Sequence, residues 1–311
     1  MTRPNMLCGG RLISVSLGLC VFSGAACSTA AVSTGGPIAT LASVASCREH
    51  PAAVPRGITT VYDRLVLALG PAMYLPLGHS SAGIYPDLSG GGHSGAYLPR
   101  TKRPDLVRLP NGTLASQFNG HGQYAQVSSS SSLSITRTGC LTVEAWIRPA
   151  TLQFPLEEGT GYSYVLGKGQ PREQEYALRM YSERNRERPV RPNRISAYVF
   201  NRWGGLGSGS YFQDHVSIGG WMMVAFAVSD LPTPGWPRGY VAIYKDGQFR
   251  GCVSLAQYHV RPTASNAPFR IATQSLDSFF DGAIGDVAVY DYALSRTQIA
   301  STYLSMFARA G

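Results

Sequence analysis

The stretch Cys140-Leu-Thr-Val-Glu-Ala-Trp-Ile-Arg148 decides the fold. Leu141, Val143, Ala145 and Ile147 fall on one side of an extended chain, and Thr142, Glu144, Trp146 and Arg148 on the other. Successive side chains of a strand point to opposite faces, so this alternation predicts a β-strand with one face in a core. Outward from it the same signal recurs. Candidate strands are 72–77, 123–127, 164–168, 176–181, 194–200, 222–228, 239–245, 249–255, 269–272 and 280–290. Asp246-Gly247 separates two of them. Both positions tolerate φ > 0, which makes the pair a two-residue hairpin turn. It sets 241–245 antiparallel to 248–253.

One helix is expected, at the end of the chain. Ser295-Arg-Thr-Gln298 is a capping box, with Leu294 and Ile299 placed as its hydrophobic staple. Ile299, Tyr303 and Phe307 form one apolar stripe, which suits a short helix docked on a sheet. Many short strands with Gly- and Pro-rich turns, no βαβ units and no internal repeat predict an all-β fold. It is read as a two-sheet antiparallel jelly-roll sandwich with a short C-terminal helix. Composition agrees. Of 311 residues, 44% are hydrophobic and only 14% charged, which excludes a chain disordered throughout and disfavours a long coiled coil. No apolar run reaches about 18 residues, so no interior transmembrane helix is expected. The 27 Lys and Arg against 18 Asp and Glu give a net charge of +9.

Residues 1–26 read as a secretory signal peptide: Arg3 and Arg11 precede the apolar run 12–22, and small residues follow. Ser23-Gly24-Ala25-Ala26-Cys27 resembles a bacterial lipobox, with Gly24 where Leu is usual. Lipidation at Cys27, giving membrane attachment through an anchor, and simple secretion both remain open. Either reading places the protein outside the cytoplasm or in the cell envelope. Residues 27–60 are small, polar and aperiodic, as a flexible linker is, and 61–311 form the folded domain. Cys8 and Cys20 leave with the signal. Export permits disulfides, and Cys140–Cys252 is the preferred pair because both lie at strand starts; Cys47–Cys140 is the alternative.

Several segments, in order, resemble the laminin-G-like branch of the concanavalin A-like lectin/glucanase superfamily. These are Ala68–Gly78, the Asp87–Gly95 loop, Phe118-Asn-Gly-His-Gly-Gln-Tyr124, Leu141–Ile147, Trp221-Met-Met-Val224, Ile243-Tyr-Lys-Asp-Gly247 and Phe280–Tyr290 followed by Ala293-Leu-Ser295. The resemblance spans roughly residues 62–305 and implies the sandwich fold. It implies little about function, because one fold hosts many.

Asp286 is an acid on an otherwise mostly apolar strand face, with Phe280, Ile284, Ala288 and Tyr290 at the same parity. Such a group needs a partner, a hydrogen-bond network or a cation. The resemblance implies a structural calcium at Asp87 and Asp286, with Ser89 as a carbonyl ligand; Gly91 stands where an Asn is common in the family. The alternative is that Asp87 makes an Asx turn and Asp286 caps backbone amides.

Catalysis finds no support. Glycoside hydrolysis needs two carboxylates a few ångström apart, and no Glu-x-Asp-x-Glu strand exists. Glu144 is the only acid in its strand, and its family counterpart is structural. Glu157-Glu158 reads as a solvated loop pair. No Gly-x-Ser-x-Gly elbow is present. The expected function is therefore non-catalytic binding of carbohydrate or another cell-envelope polymer, with a structural or adhesion module that binds protein as the alternative; a glycoside hydrolase, the least expected reading, would need a carboxylate pair assembled from different strands. Sugars stack on rings, so Trp203, Tyr211 and Trp236, flanked by Gly and Pro or beside a Phe, are the ligand-binding candidates. Their alternative role is packing over an open end of the sandwich. Residues 172–194 hold seven Arg against four Glu. This segment is either an anion-binding loop or a solvated, self-paired one. Nucleic acid is not expected, given export and the lack of interleaved aromatics.

Overall fold

The structure, a computed structural model, describes residues 60–188, 190–212 and 214–308. The signal segment, nearly all of the linker, Cys27 and Cys47 lie outside the described residues.

The described chain opens with a helix that the sequence reading did not expect, α1 (Val61–Ala68). Thr60 caps it, its hydroxyl oxygen accepting from the Asp63 amide at 3.0 Å. Strands follow in chain order: β1 (Met73–Leu75), β2 (Ile84–Tyr85), β3 (Gly95–Leu98), β4 (Asp105–Arg108), β5 (Leu114–Asn119), β6 (Tyr124–Val127), β7 (Cys140–Pro149) and β8 (Tyr162–Lys168). Then come β9 (Tyr176–Tyr181), β10 (Ile195–Val199), β11 (Ser208–Tyr211), β12 (Met222–Ser229), β13 (Tyr240–Lys245), β14 (Gln248–Ser254), β15 (Phe269–Ile271) and β16 (Asp281–Tyr290). The last element is α2 (Arg296–Ser305), which carries the expected capping box between Ser295 and Gln298.

These strands make two antiparallel sheets of eight. The first runs β14-β13-β12-β7-β16-β5-β4, with β1 also on β16; the second runs β11-β10-β9-β8-β15-β6-β3-β2. The jelly-roll sandwich is therefore the fold. The Asp246-Gly247 turn has φ of +51° and +74° and pairs Lys245 with Gln248, as the hairpin reading requires.

The opening stretch fulfils its alternation. Leu141, Val143, Ala145 and Ile147 join the core between the sheets, and Trp146 joins a second apolar layer on the outer side of the first sheet. Both helices supply that layer: Tyr62, Val66 and Leu67 from α1, and Ile299 from α2 with Met306 just beyond it. Trp146 stacks on Tyr303 of α2 at 5.8 Å and 13°. Helices thus cover one outer face of the sandwich. The outer face of the second sheet has no helix on it among the described residues.

Two expectations are corrected. β7 and β14 are separated by β12 and β13. At ~4.8 Å per strand, Cys140 and Cys252 are ~14 Å apart across the sheet, and bridged Cα atoms must lie within about 7 Å. No disulfide joins them. The parity drawn along 280–290 also breaks. β16 bulges between Gly285 and Ala288, with Asp286 at φ +49°. One extra residue flips everything after it. Phe280 and Ile284 face the inner core, but so do Val287 and Val289, while Ala288 and Tyr290 face the helices.

Candidate functional site

Of the residues read as calcium ligands, Asp87 and Ser89 meet each other, and Asp286 does not join them. Asp87 Oδ1 accepts from the Tyr74 amide at 2.9 Å, the Ser89 amide at 3.0 Å and the Ser89 hydroxyl at 2.7 Å. Its Oδ2 accepts from the His93 amide at 2.8 Å. The carboxylate therefore closes an Asx turn and ties the Gly-rich loop to β1. Asp286 lies at the other end of Tyr74: the Tyr74 hydroxyl sits 2.5 Å from Asp63 Oδ1 and 3.2 Å from Asp286 Oδ1. Calcium needs oxygens with lone pairs to spare, and those of Asp87 already hold four donors. The set Asp87, Ser89 and Asp286 does not fit that ion. Among the described residues no group of three or more His, Cys, Asp or Glu is placed to share a metal.

Asp286 belongs instead to a buried polar cluster beneath the helices. Glu144 is fully buried; its oxygens contact the Tyr290 hydroxyl and the Thr302 hydroxyl, each at 3.3 Å. Burial pushes its carboxyl up to about 8, against the pull of those two hydroxyls. Asp286 is also pushed well above the ordinary value, first by burial and then by the charge of Asp63. Both are locked in the interior, so they offer no surface carboxylate pair for hydrolysis. Glu158, expected in solvent, is instead bonded to the Ser275 hydroxyl and contacts the Tyr162 hydroxyl at 3.3 Å.

The open outer face of the second sheet holds the chemistry. Alternation decides which side chains reach it. Tyr176, Leu178 and Met180 enter the inner core, so Ala177, Arg179 and Tyr181 turn outward. On β8 and β10 the same rule turns out Tyr162, Tyr164 and Tyr198, with Phe200 just past the strand. Register aligns Gly209, Tyr198, Ala177, Gly167, Arg270 and Gln126 in one row across five strand pairings. Gly209 leaves room for its neighbour: a Cβ there would lie 2.2 Å from Tyr198 Cε1.

Arg179 sits at the centre of this face. Its guanidinium carbon is 4.3 to 4.9 Å from the ring centroids of Tyr162, Tyr164, Tyr198 and Phe200. Nη2 donates to the Tyr164 hydroxyl at 2.9 Å, and the buried Nε has no partner. Arg191 lies over Tyr211 at 4.6 Å and donates through Nη1 to Tyr198 at 2.6 Å and Tyr181 at 3.2 Å. A cation over a ring face gains roughly 0.5–2 kcal/mol, so the rings hold both guanidiniums on the sheet. Arg270 donates to the Gln126 side chain at 3.0 Å and the Gln274 carbonyl at 2.5 Å. None of these arginines except Arg191 has a carboxylate within ion-pair distance among the described residues.

The three predicted ligand aromatics do not form one site. Tyr211 lies in β11, half-buried under Arg191. Trp203 stands on the β10–β11 loop with 75% of its surface exposed, and so does Leu206 with 73%. Trp236 leans on Tyr240 at 6.0 Å on a separate hairpin, beside a shallow concavity of about 430 Å³ between Pro232, Pro237 and Pro262. Arg179, Tyr162, Tyr164, Tyr198 and Phe200 were missed. Their signal was present: pairs two residues apart, Tyr162 with Tyr164 and Tyr198 with Phe200, share one strand face.

Comparison with known proteins agrees with this architecture. The family described as Laminin_G_3, of the concanavalin A-like lectin/glucanases superfamily, matches residues 119–300. The chain belongs to that superfamily. No curated protein matches the chain. Among solved structures, the binding domain of Paraclostridial Mosquitocidal Protein 1 is similar, at TM-score 0.54 and 13% identity, over 78% of this chain and 52% of that one. The ligand binding domain of botulinum neurotoxin serotype D, in complex with N-acetylneuraminic acid, is similar at TM-score 0.53 and 12% identity, over 79% and 52%. The chain spans about half the length of these structures, and at such identities the likeness is one of fold.

Proposed function

We propose that the protein is an exported, non-catalytic binding module that recognises carbohydrate through the outer face of its second sheet. The observation that carries this reading is the platform of Tyr162, Tyr164, Tyr198, Phe200 and Tyr211 around Arg179 and Arg191. These side chains face away from the inner core, on the outer face that no helix covers. Of these rings Tyr162 and Tyr211 stay partly exposed, and sites that combine an open ring edge with a few directed polar groups suit sugars, whose C–H faces pack on the ring while hydroxyls bond. The serotype D domain, a complex with N-acetylneuraminic acid, is similar in fold. A structural calcium is not part of this proposal. The anchor at Cys27 remains part of it as a means of holding the module at the envelope.

A glycan array with the full chain tests the reading. Binding that falls in Tyr162→Ala and Tyr211→Ala, at unchanged thermal midpoint, supports it. Binding unaffected by both substitutions moves the site elsewhere. A second reading, docking of a protein partner, rests on Trp203 and Leu206 at the tip of their loop. An array blank for the wild-type chain favours it, whereas loss of glycan binding in Trp203→Ala would move the sugar site to that loop.

A further inference from the structure

We propose that the ligand of this face is an anionic saccharide, whose acid groups pair with Arg179, Arg191 and the arginines of the β9–β10 loop. The inference rests on reading that face as the ligand face. It follows from what the face presents. Tyr164, Tyr181, Tyr198 and Phe200 are each at most 8% exposed. Their faces are spent on guanidinium, so little open ring is left for a neutral sugar. What remains partly open is Tyr162 and Tyr211 together with the cations Arg179 and Arg191, all four half-buried.

Those cations have little counter-charge among the described residues: one distant carboxylate between the two. Arg179 makes one hydrogen bond, to a neutral phenol, and its Nε has none. Among the described residues the one acid within ion-pair distance of Arg191 is Glu187, 3.8 Å from Nη1, and the Arg191 Nε is also unpartnered. Glu158, the acid beside Tyr162, is taken up by Ser275. A buried cation is costly until an anion reaches it. The planar guanidinium fork is the donor that matches a carboxylate or sulfate with two parallel bonds.

The loop between β9 and β10 extends this charge. It leaves the platform at Tyr181 and returns at Ile195. Its frame is pinned: Asn185 Nδ2 donates to the Thr160 and Gly161 carbonyls at 3.2 Å, and the Asn185 side-chain oxygen accepts from the Arg191 amide at 3.0 Å. Arg184, Arg186 and Arg188 are exposed on it and make no ion pair among the described residues. Of Arg184, Arg186, Arg188 and Arg191, the self-paired reading accounts for Arg191 with Glu187 among the described residues. Buried rings also leave no platform on which nucleobases could stack in series.

Titration calorimetry of the full chain with oligogalacturonate and with its neutral methyl ester tests the inference. Heparin oligosaccharide serves as the sulfated arm. The acid forms are expected to bind at least about tenfold more tightly than the ester. Affinity should fall with salt, more weakly in an Arg184→Ser/Arg186→Ser/Arg188→Ser triple variant. Arg179→Lys, which keeps charge but loses the fork, should lose about tenfold or more at an unchanged thermal midpoint. Should Arg179→Lys misfold, the exposed triple variant alone still decides. Equal binding of acid and ester would overturn the inference and leave carbohydrate binding standing. Binding of anionic vesicles or single-stranded DNA, with no saccharide bound, would overturn both.

Discussion

Thr302 Oγ1, on the C-terminal helix, lies 3.3 Å from Glu144 Oε1 and 2.7 Å from the carbonyl of Gln298. A hydroxyl has one proton for two acceptors. The nearer carbonyl takes it, so the Glu144 contact is satisfied best when the carboxyl is itself protonated and donates. The raised Glu144 value of about 8 has the same meaning. Helix and sheet are thus joined by a proton that the unfolded chain surrenders near pH 4.5.

The sign of the pH dependence follows. Glu144 binds its proton more tightly folded than unfolded, so its contribution is fully present below about pH 4.5 and is lost as pH rises through about 8. Asp286 is shifted in the same direction. The unfolding free energy should fall between about pH 5 and pH 8 by an amount on the order of a few kcal/mol, and the thermal midpoint with it. Glu144→Gln, neutral at every pH, should flatten the fall. A midpoint that rises across this range contradicts the arrangement.

Tyr303 lies flat against Trp146 and edge-on to Phe307, at 5.8 and 5.3 Å. Tyr303→Ala should cost about 1–2 kcal/mol in urea unfolding, and Tyr303→Phe much less, since the ring and not the hydroxyl makes the contact.

Asp87 holds four donors and no metal geometry. Asp87→Ala should destabilise by about 2–3 kcal/mol, the cost of leaving buried amides unmet. Excess calcium or a chelator should leave the wild-type midpoint within about 1 °C. A calcium-dependent rise of several degrees would reinstate the metal reading.

Lys168 is completely buried and paired with the buried Glu175. Glu175 also accepts from the Ser265 amide at 2.8 Å and its hydroxyl at 2.7 Å. Removing one charge strands the other, so Lys168→Met and Glu175→Gln should each cost about 3–5 kcal/mol by denaturant titration. The double variant should cost less than the two losses added.

Much of this fold can be read from alternation alone. Leu141 to Ile147 and Tyr176 to Tyr181 are strands because two-residue periodicity is local. The capping box at Ser295 and the turn at Asp246-Gly247 are local too. Very short strands such as Ile84–Tyr85 carry too few residues to show a period. α1 was legible as Thr60-x-x-Asp63, but the small polar residues before it masked the cap. The bulge at Asp286 is set by the partners of β16 on either side, and no single-strand pattern reveals it. The separation of Cys140 from Cys252 depends on strand order, which spacing along the chain does not encode. The arginine platform is hidden for a related reason: Arg179 meets Tyr162, Tyr164 and Tyr198 only once β8, β9 and β10 are set side by side.

The two helices give the body a front and a back. Its first described residue, Thr60, caps the helix on one outer face, while Arg179 and Arg191 lie on the opposite one. Any support joined through the residues ahead of Thr60 is attached on the helix side, so the arginine face stays clear of the attachment point however the body turns.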